Sequence, residues 1–511
     1  MVGALPLALR VAGALLRNNP ALSVAAYQER LAAADRRLGA LRDPDDPQLN
    51  VEASLNLSYD ALPVSAQAAL RQLGALVADF DISLGLALIG RDDRGEEDLY
   101  ALLRRNLVSY DPASTRWRLH DLIRSQALRK LIDAGEFAAA SWRYVDAVLD
   151  IIRPLHTTMH SDSWNRNEAL ARFDRERPHL GEIWEWASAH QGEPAADRVL
   201  IDFALHTANI GNLRFDLRNE RLPQLSAALA AAQRSNNEMA AVRLLNGRAT
   251  IYNRLGLLRE AIAANTEALD RIRKIDGHDE IEKALILRDK ALLSTKLGTD
   301  EGLRLSNTLN YEALDIFKKH RVSRHIHFTL NNIGVTHLGL REFDQAITIL
   351  NELLILGRDE QLEESERLAV HNLAETYMRI GKIEQALPLY EQSATIAAKN
   401  GNLLSQAYAL EGIGRAYAML GSPEQAFDHF ERSLGILQSK NAAWAIAICQ
   451  WSYGLALVRY GDSERGLPRL RACLAYEESV GYENIAVHRA LVERIEAGGG
   501  LSQDELAGII V

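Results

Sequence analysis

Two cysteines in 511 residues, Cys449 and Cys473, cannot build a disulfide framework, which fits a reducing compartment. Prolines number 13 and glycines 33, and aromatic residues make up only 6%. So few helix breakers, beside abundant Ala, Leu, Glu and Arg, favour helix over strand. Basic residues are outnumbered 58 to 68, a net charge of −10. With a pI near 5.8 the chain lacks the basic face that phosphate contacts need, so nucleic acid is not an expected partner. No stretch approaches 18 uninterrupted apolar residues, so no membrane span is expected. The opening run Met1 to Leu16 is apolar but has no basic start and is broken by Arg10, unlike a signal peptide. The expected location is cytoplasmic. With 47% hydrophobic residues the chain can bury a core, and its length implies roughly three domains.

The catalytic inventory is equally thin. There is no G-x-x-x-x-G-K-[ST] phosphate loop, no G-x-G-x-x-G after a strand, no H-E-x-x-H and no paired C-x-x-C. Cys473 falls on an apolar helix face and reads as core. His325 and His327 are two apart and point to different sides of a helix, which suits solvated or capping roles better than a metal site. No catalytic residue and no metal ligand is expected, so the chain reads as a non-enzyme.

What is present is repetition. From about residue 240, turn markers fall at Gly256, Gly298, Arg341, Gly381, Gly421 and Gly461, spaced by 42, 43, 40, 40 and 40 residues. Five residues after each marker stands a packing position: Ala261, Leu303, Ala346, Ala386, Ala426, Gly466. Seven before it stands another: Ala249, Ala291, Gly334, Ala374, Gly414, Gly454. Small residues at these places let paired helices approach closely, so each unit reads as an α-hairpin burying one face against the next. The segments Asn372-Leu373-Ala374-Glu375-Thr376-Tyr377 through Tyr390 and Gly412-Ile413-Gly414-Arg415-Ala416-Tyr417 through Phe430 resemble tetratricopeptide repeats. A period above the usual ~34 residues implies longer second helices or longer loops between repeats.

Residues 1–135 differ in texture, with 16 basic and 17 acidic residues, so the acidity lies in the remainder. A polar, proline-punctuated linker runs from Arg42 to Pro47. Short helices follow, one from about Ser65 to Val77 and another from Glu96 to Arg105. Leu107 to Tyr110, a turn at Asp111-Pro112-Ala113-Ser114, and Arg116 to Leu119 then read as a small β-hairpin. Helix, helix, helix, hairpin is the outline of a winged helix.

Three motifs in this part resemble those of STAND-class NB-ARC nucleotide switches. Gly3-Ala4-Leu5-Pro6-Leu7-Ala8 is similar to G-x-L-P-L-A, which opens that family's helical subdomain. Leu57-Ser58-Tyr59-Asp60-Ala61-Leu62-Pro63 is similar to the S-Y-D-x-L-P opening of its winged helix. Arg118-Leu119-His120-Asp121-Leu122 is similar to the M-H-D-L motif closing it, with Leu119 in place of Met. Arg172 to Leu180 and Ile183 to Ala187 resemble the linker before the repeats in bacterial regulators of this class. The resemblance implies that Pro6 lines an adenine pocket and that His120 contacts the β-phosphate of ADP, holding a resting state. In that family the phosphate loop and Walker B acids precede the first motif. This chain alone is therefore expected not to hydrolyse ATP: the start is misplaced, the gene is a truncated remnant or another polypeptide supplies the core, and ADP or ATP would bind only with that NTPase core supplied.

The expected architecture is mainly all-α. Residues 1–50 form a helical subdomain, 51–135 a winged-helix-like subdomain, and 136–235 a helical linker with room for a degenerate repeat around Gly211. Residues 236–497 form a solenoid of about six units, and 498–511 a tail. On the first helix of each unit the inward position three before the small residue holds Asn246, Arg288, Asn331, His371, Glu411 and Trp451. Neighbouring inward positions hold Glu375, Met378, Tyr408 and Arg415. Mixed polar and aromatic groups on an inner face suit a protein or peptide partner. The expected function is regulatory signal transduction through that groove, joined to a partial ADP-sensing switch. The alternatives are a plain repeat scaffold, and a DNA-binding transcriptional regulator acting through the winged helix. Acid beside base in Glu96–Arg105 weighs against the last.

Overall fold

The computed structural model describes residues 6–30, 48–90, 93–158, 163–277, 279–480, 485–499 and 501, and helix dominates throughout. The mainly α composition is thus realised, with a single two-stranded sheet among the described residues. The chain divides into two compact units, Met1–Leu255 and Gly256–Val511.

In the first unit, α1 (Pro6–Asn18) starts on a proline, whose missing N–H costs nothing at that position. A second helix, α2, is described over 24–30, and α3 spans Gln48–Asp60. Ala12, Leu15 and Tyr27 pack together, and the Tyr27 hydroxyl lies 2.8 Å from the Ser54 hydroxyl of α3. Gly3 to Leu5 and the 42–47 linker lie outside the described residues. Next come α4 (Val64–Leu73), α5 (Ile82–Ile89) and α6 (Asp93–Arg104). The hairpin β1 (Ser109–Asp111) and β2 (Arg116–Arg118) follows, with Tyr110 opposite Trp117. Asp111 shapes its turn by accepting from the Ala113 N–H at 3.1 Å and the Ser114 hydroxyl at 2.6 Å. Trp117 is buried, edge-on to Tyr100, and exchanges backbone hydrogen bonds with Phe80 at 2.9 and 2.8 Å. That bridge stitches the hairpin to the chain before α5. The helix α7 (Asp121–Asp133) follows directly.

Two long helices, α8 (Phe137–Thr158) and α9 (Ser163–Ala189), come next. They precede α10 (Pro194–His206), α11 (Ala208–Arg214), a π-turn at Leu217–Arg221, α12 (Leu222–Arg234) and α13 (Glu238–Arg254). Gly211 sits inside α11 and marks no turn between helices; the turn lies at Asn236, between α12 and α13, with φ 53°. The Arg221 side chain is buried and satisfied by neutral acceptors: Asn212 Oδ1, Thr207 Oγ1, Gln224 Oε1 and the Ala204 carbonyl. Burial pulls its pKa down to about 10.

The second unit opens with α14 (Leu258–Ile272). Five hairpins follow. They are α15 (Glu280–Thr295) with α16 (Asp300–Lys319), α17 (Ser323–Gly339) with α18 (Phe343–Asp359), and α19 (Glu363–Arg379) with α20 (Ile383–Lys399). Then come α21 (Leu403–Met419) with α22 (Pro423–Ser439) and α23 (Ala443–Arg459) with α24 (Ser463–Val480). Finally α25 (Ile485–Glu496) covers the end, its Val492 and Ile495 packing on Leu455, Leu470 and Cys473. All six turn markers from Gly256 to Gly461 take the left-handed conformation, including Arg341 at φ 60°. From α17 to α23 every helix has 17 residues. The long period is therefore shared equally by both helices of a hairpin and does not lie in the second helix or the loops. The wider early spacings trace in part to α16, which has 20 residues.

The small packing positions are buried, with one shift. In α16 the residue at the close approach is Gly302, where a Cβ would stand 2.5 Å from the Ser294 carbonyl oxygen, while Leu303 is only half-buried. Elsewhere the fit is as tight: a Cβ at Gly334 would lie 2.6 Å from Leu350. Side chains such as Tyr390, Phe430 and Tyr453 are fully buried between helices, each contributing roughly 1.5–3 kcal/mol. First helices of neighbouring hairpins touch one another more closely than second helices do. The first helices therefore line the inner side of this unit. Both cysteines are buried, and desolvation pushes each thiol up to about 12. No described helix is long and apolar enough to cross a membrane.

Candidate functional site

The inner row is a series of polar bridges, each joining one first helix to the next. Arg288 of α15 reaches His325 Nδ1 of α17 at 3.1 Å, and it also pairs with Asp289 at 2.9 Å. Asn372 of α19 donates to Asn331 Oδ1 of α17 at 2.7 Å. Arg415 of α21 pairs with Glu375 of α19. Sequence periodicity placed Arg288, Asn331, Glu375, Glu411 and Arg415 on one face, and His325 and Asn372 join them in the structure. The structure adds that they meet in pairs across the helix boundaries.

The densest part lies at α19 to α21. Arg415 donates Nε to Glu411 Oε2 at 3.0 Å and a terminal nitrogen to Glu375. The Tyr390 hydroxyl donates to Glu375 at 2.5 Å, and the His371 ring stands edge-on to Tyr390 at 5.6 Å. Glu411 and Arg415 are buried, at 8% and 6% exposure. Burial works against the Glu375 charge, yet the Arg415 guanidinium holds its carboxyl below the ordinary range. Burial dominates at Glu411 and pushes its carboxyl up in spite of Arg415. Burial also keeps His371 neutral. Two carboxylates thus share one guanidinium. Glu411 Oε1 and His371 Nδ1 remain buried without a hydrogen-bond partner, a costly arrangement in a core that serves only packing.

Other residues of the row differ. Tyr408 is exposed on α21. Trp451 is stacked on His488 of α25, with ring centres 4.2 Å apart, so the terminal helix covers it. Met378 is core. Asn246 is half-buried on α13, in the first unit. His327 is buried rather than solvated, its Nε2 facing Glu360 at 3.2 Å. No group of three His, Cys, Asp or Glu among the described residues is placed to hold a metal.

In the first unit, His120 is exposed and caps α7, its Nδ1 accepting the Leu122 N–H at 3.3 Å. In the neutral ring the proton is then on Nε2, a donor able to meet a phosphate oxygen. The side chain of Pro6 lies outside the described residues. Close by in sequence lies a buried clasp that no motif announces. Arg116 of β2 pairs with Glu176 of α9 and donates to the Asp79 carbonyl at 2.5 Å. His179 Nε2 donates to the same carbonyl at 2.9 Å and its Nδ1 accepts the Tyr144 hydroxyl at 2.8 Å. The only sequence signal was the Arg172–Leu180 segment, singled out as a linker; the clasp shows that its helix docks on the hairpin.

Comparison with known proteins bears on the repeats first. Residues 364–439 match the tetratricopeptide repeat family. The chain is 34% identical over 126 residues to the regulatory protein AfsR of Streptomyces griseus, covering 24% of this chain and 13% of that protein. It is 28% identical over 190 residues to a protein of Mycobacterium tuberculosis named as a candidate HTH-type transcriptional regulator, covering 36% and 21%. The matches thus span at most about a fifth of these relatives. Among solved structures, a Signal Transduction ATPase with Numerous Domains (STAND) protein with a tetratricopeptide repeat sensor, from Pyrococcus horikoshii, superposes with a TM-score of 0.50. It is 14% identical, and the match covers 90% of this chain and 67% of that one. The chain therefore carries tetratricopeptide repeats and shares its fold with a STAND protein that bears a repeat sensor.

Proposed function

We propose that this chain is a regulatory signal-transduction protein whose solenoid receives a protein or peptide segment along its inner face. The observation that carries this reading is the Glu375–Arg415–Glu411 cluster, with its unpartnered Glu411 Oε1 and His371 Nδ1. Half-buried His371 and Glu375 and exposed Tyr408 belong to the same row, so an extended segment would find polar and aromatic groups to bind there. The names of the matched regulators and the repeat sensor of the archaeal STAND protein support the same reading. The chain acts in this view by binding and not by turnover.

Residues 3–130 form, on this reading, the helical and winged-helix part of a nucleotide switch. His120 fits the role of phosphate sensor because capping occupies only Nδ1. ADP, when bound by a core supplying the phosphate loop, would bring the negative charge that Nε2 can grip. An effect on transcription would pass through a partner rather than through α6 on DNA, since α6 carries Asp93, Glu96, Glu97 and Asp98 against Arg94 and Arg104.

A photo-crosslinking residue at Tyr408 tests the groove in the cells that make the protein. A discrete adduct from position 408, absent from position 391 on the exposed side of α20 and lost with Glu375→Ala, is expected. Equal adducts from both positions would remove the groove from the account.

A further inference from the structure

A second binding site lies in the first unit, away from the inner row of repeats. The chain following α4, together with α7, α8 and α9, encloses a cleft of about 430 Å³, within the size range of small-molecule sites. Its walls are aromatic. Trp142 of α8 and Trp186 of α9 meet edge-to-face, 5.2 Å apart and at 89°, and both stay partly accessible. Phe137 stands at the mouth, 45% exposed. Three aromatic side chains left partly wet around one hollow form an apolar surface that a ligand would dry.

Charge sets the kind of ligand. Two lining residues are ionic, Arg124 and Glu182. Arg124 is already engaged, donating to the Val77 carbonyl at 2.6 Å and lying 3.5 Å from Asp121. Glu182 is exposed at the cleft and makes no ion pair among the described residues. Its field reaches the floor, where it adds to burial in raising the Tyr144 phenol. The uncompensated charge of the cleft is therefore negative, and it stands beside indole faces that attract cations.

We infer that this cleft binds a lipophilic organic cation, its aryl or alkyl groups against Trp142, Trp186 and Phe137 and its positive charge towards Glu182. An anion of the same shape would meet repulsion from Glu182 with no free guanidinium to offset it. The site shares α7 with His120, so an occupant rests on the helix that His120 caps.

Tetraphenylphosphonium and tetraphenylborate have the same shape and opposite charge. Calorimetric titration of the full chain should show the phosphonium binding at least about tenfold more tightly than the borate, roughly one charge contact's worth. Glu182→Gln, at an exposed position, should erase most of that preference without moving the thermal midpoint. Ala138→Trp or Ser141→Trp should fill the cleft and abolish binding; two filling variants guard against one that fails to fold. Equal affinity for the two ions, no phosphonium binding up to millimolar, or binding undiminished in folded filling variants would each overturn the inference.

Discussion

Arg415 and Glu375 sit on different repeats, α21 and α19, and form an ion pair between two first helices in which Arg415 is buried and Glu375 half-buried. Such a pair is dangerous to break from one side only. Replacing Arg415 with Met would leave both Glu375 and Glu411 facing a dry interior without a cation. A loss of about 3–5 kcal/mol is expected, read as a lower urea midpoint of the full chain by circular dichroism. A loss under ~1 kcal/mol would mean that water reaches the cluster.

Glu411 predicts the opposite sign. Its native carboxyl is raised above the ordinary range, with burial as the main cause. For an acid with a raised native pKa, the contribution to stability is fully present below the unfolded value, 4.5, and lost as pH rises through the native value. At pH 7 the buried carboxyl is therefore a burden, and Glu411→Gln should raise stability by about 1 kcal/mol, a gain that disappears at acid pH. The same variant should weaken crosslinking from position 408, because it loosens the hold on Arg415, which pairs with half-buried Glu375 of the row. Stability rising while capture falls would mark a residue kept for binding. A Glu411→Gln chain less stable at pH 7 would contradict the sign.

The repeats were legible in sequence because a solenoid writes its packing as a period. Small residues such as Ala346 and Gly414 recur where helices touch, and Gly381 recurs where the chain must turn left-handed. The slip at Leu303 arose where the lengthened α16 brought Gly302 to the contact instead. The hairpin was legible from its turn residues. The clasp at Arg116, Glu176 and His179 was not, since its members lie about 60 residues apart and carry no period. The covering of Trp451 by His488 was hidden for a similar reason: an inward position can be closed by the helix that ends the array. The charge balance at Glu411 depends on burial, which no spacing reveals.

Close approach and turn geometry give paired tests in one hairpin. Gly334 of α17 faces Leu350 so closely that a Cβ would stand 2.6 Å away. Gly334→Ala should cost about 1–3 kcal/mol through overpacking. Seven residues on, Arg341 holds φ 60° where the equivalent turns have glycine. Arg341→Gly should stabilise by about 0.5–1 kcal/mol, the left-handed strain relieved minus the added freedom of the unfolded chain. Thermal melts of the two single variants should therefore move in opposite directions.

The clasp in the first unit should make this protein acid-sensitive. His179 is fully buried and neutral by geometry, donating through Nε2 to the Asp79 carbonyl and accepting the Tyr144 hydroxyl at Nδ1. Burial lowers its pKa from the usual 6.5, and Arg116 adds to that against the pull of Glu176. A base with a lowered native pKa contributes stability that is present above the unfolded value and lost as pH falls from about 6.5 towards the native value, because the unfolded chain takes up the proton first. Urea midpoints of the full chain should hold steady at neutral pH and decline from pH 6.5 to 5. His206 and His371 shift in the same direction, also by burial, so His179→Gln should flatten only part of the slope while lowering the neutral-pH midpoint. Protonation would place a cation beside Arg116 and end acceptance from Tyr144, so release of α9 from the hairpin should accompany the decline. The protection of the Phe80 and Trp117 amides, whose backbone bonds hold that hairpin, should then fall at pH 5 in the parent chain, measured against the intrinsic exchange rate at each pH. Unchanged protection there would show that the clasp survives its protonation.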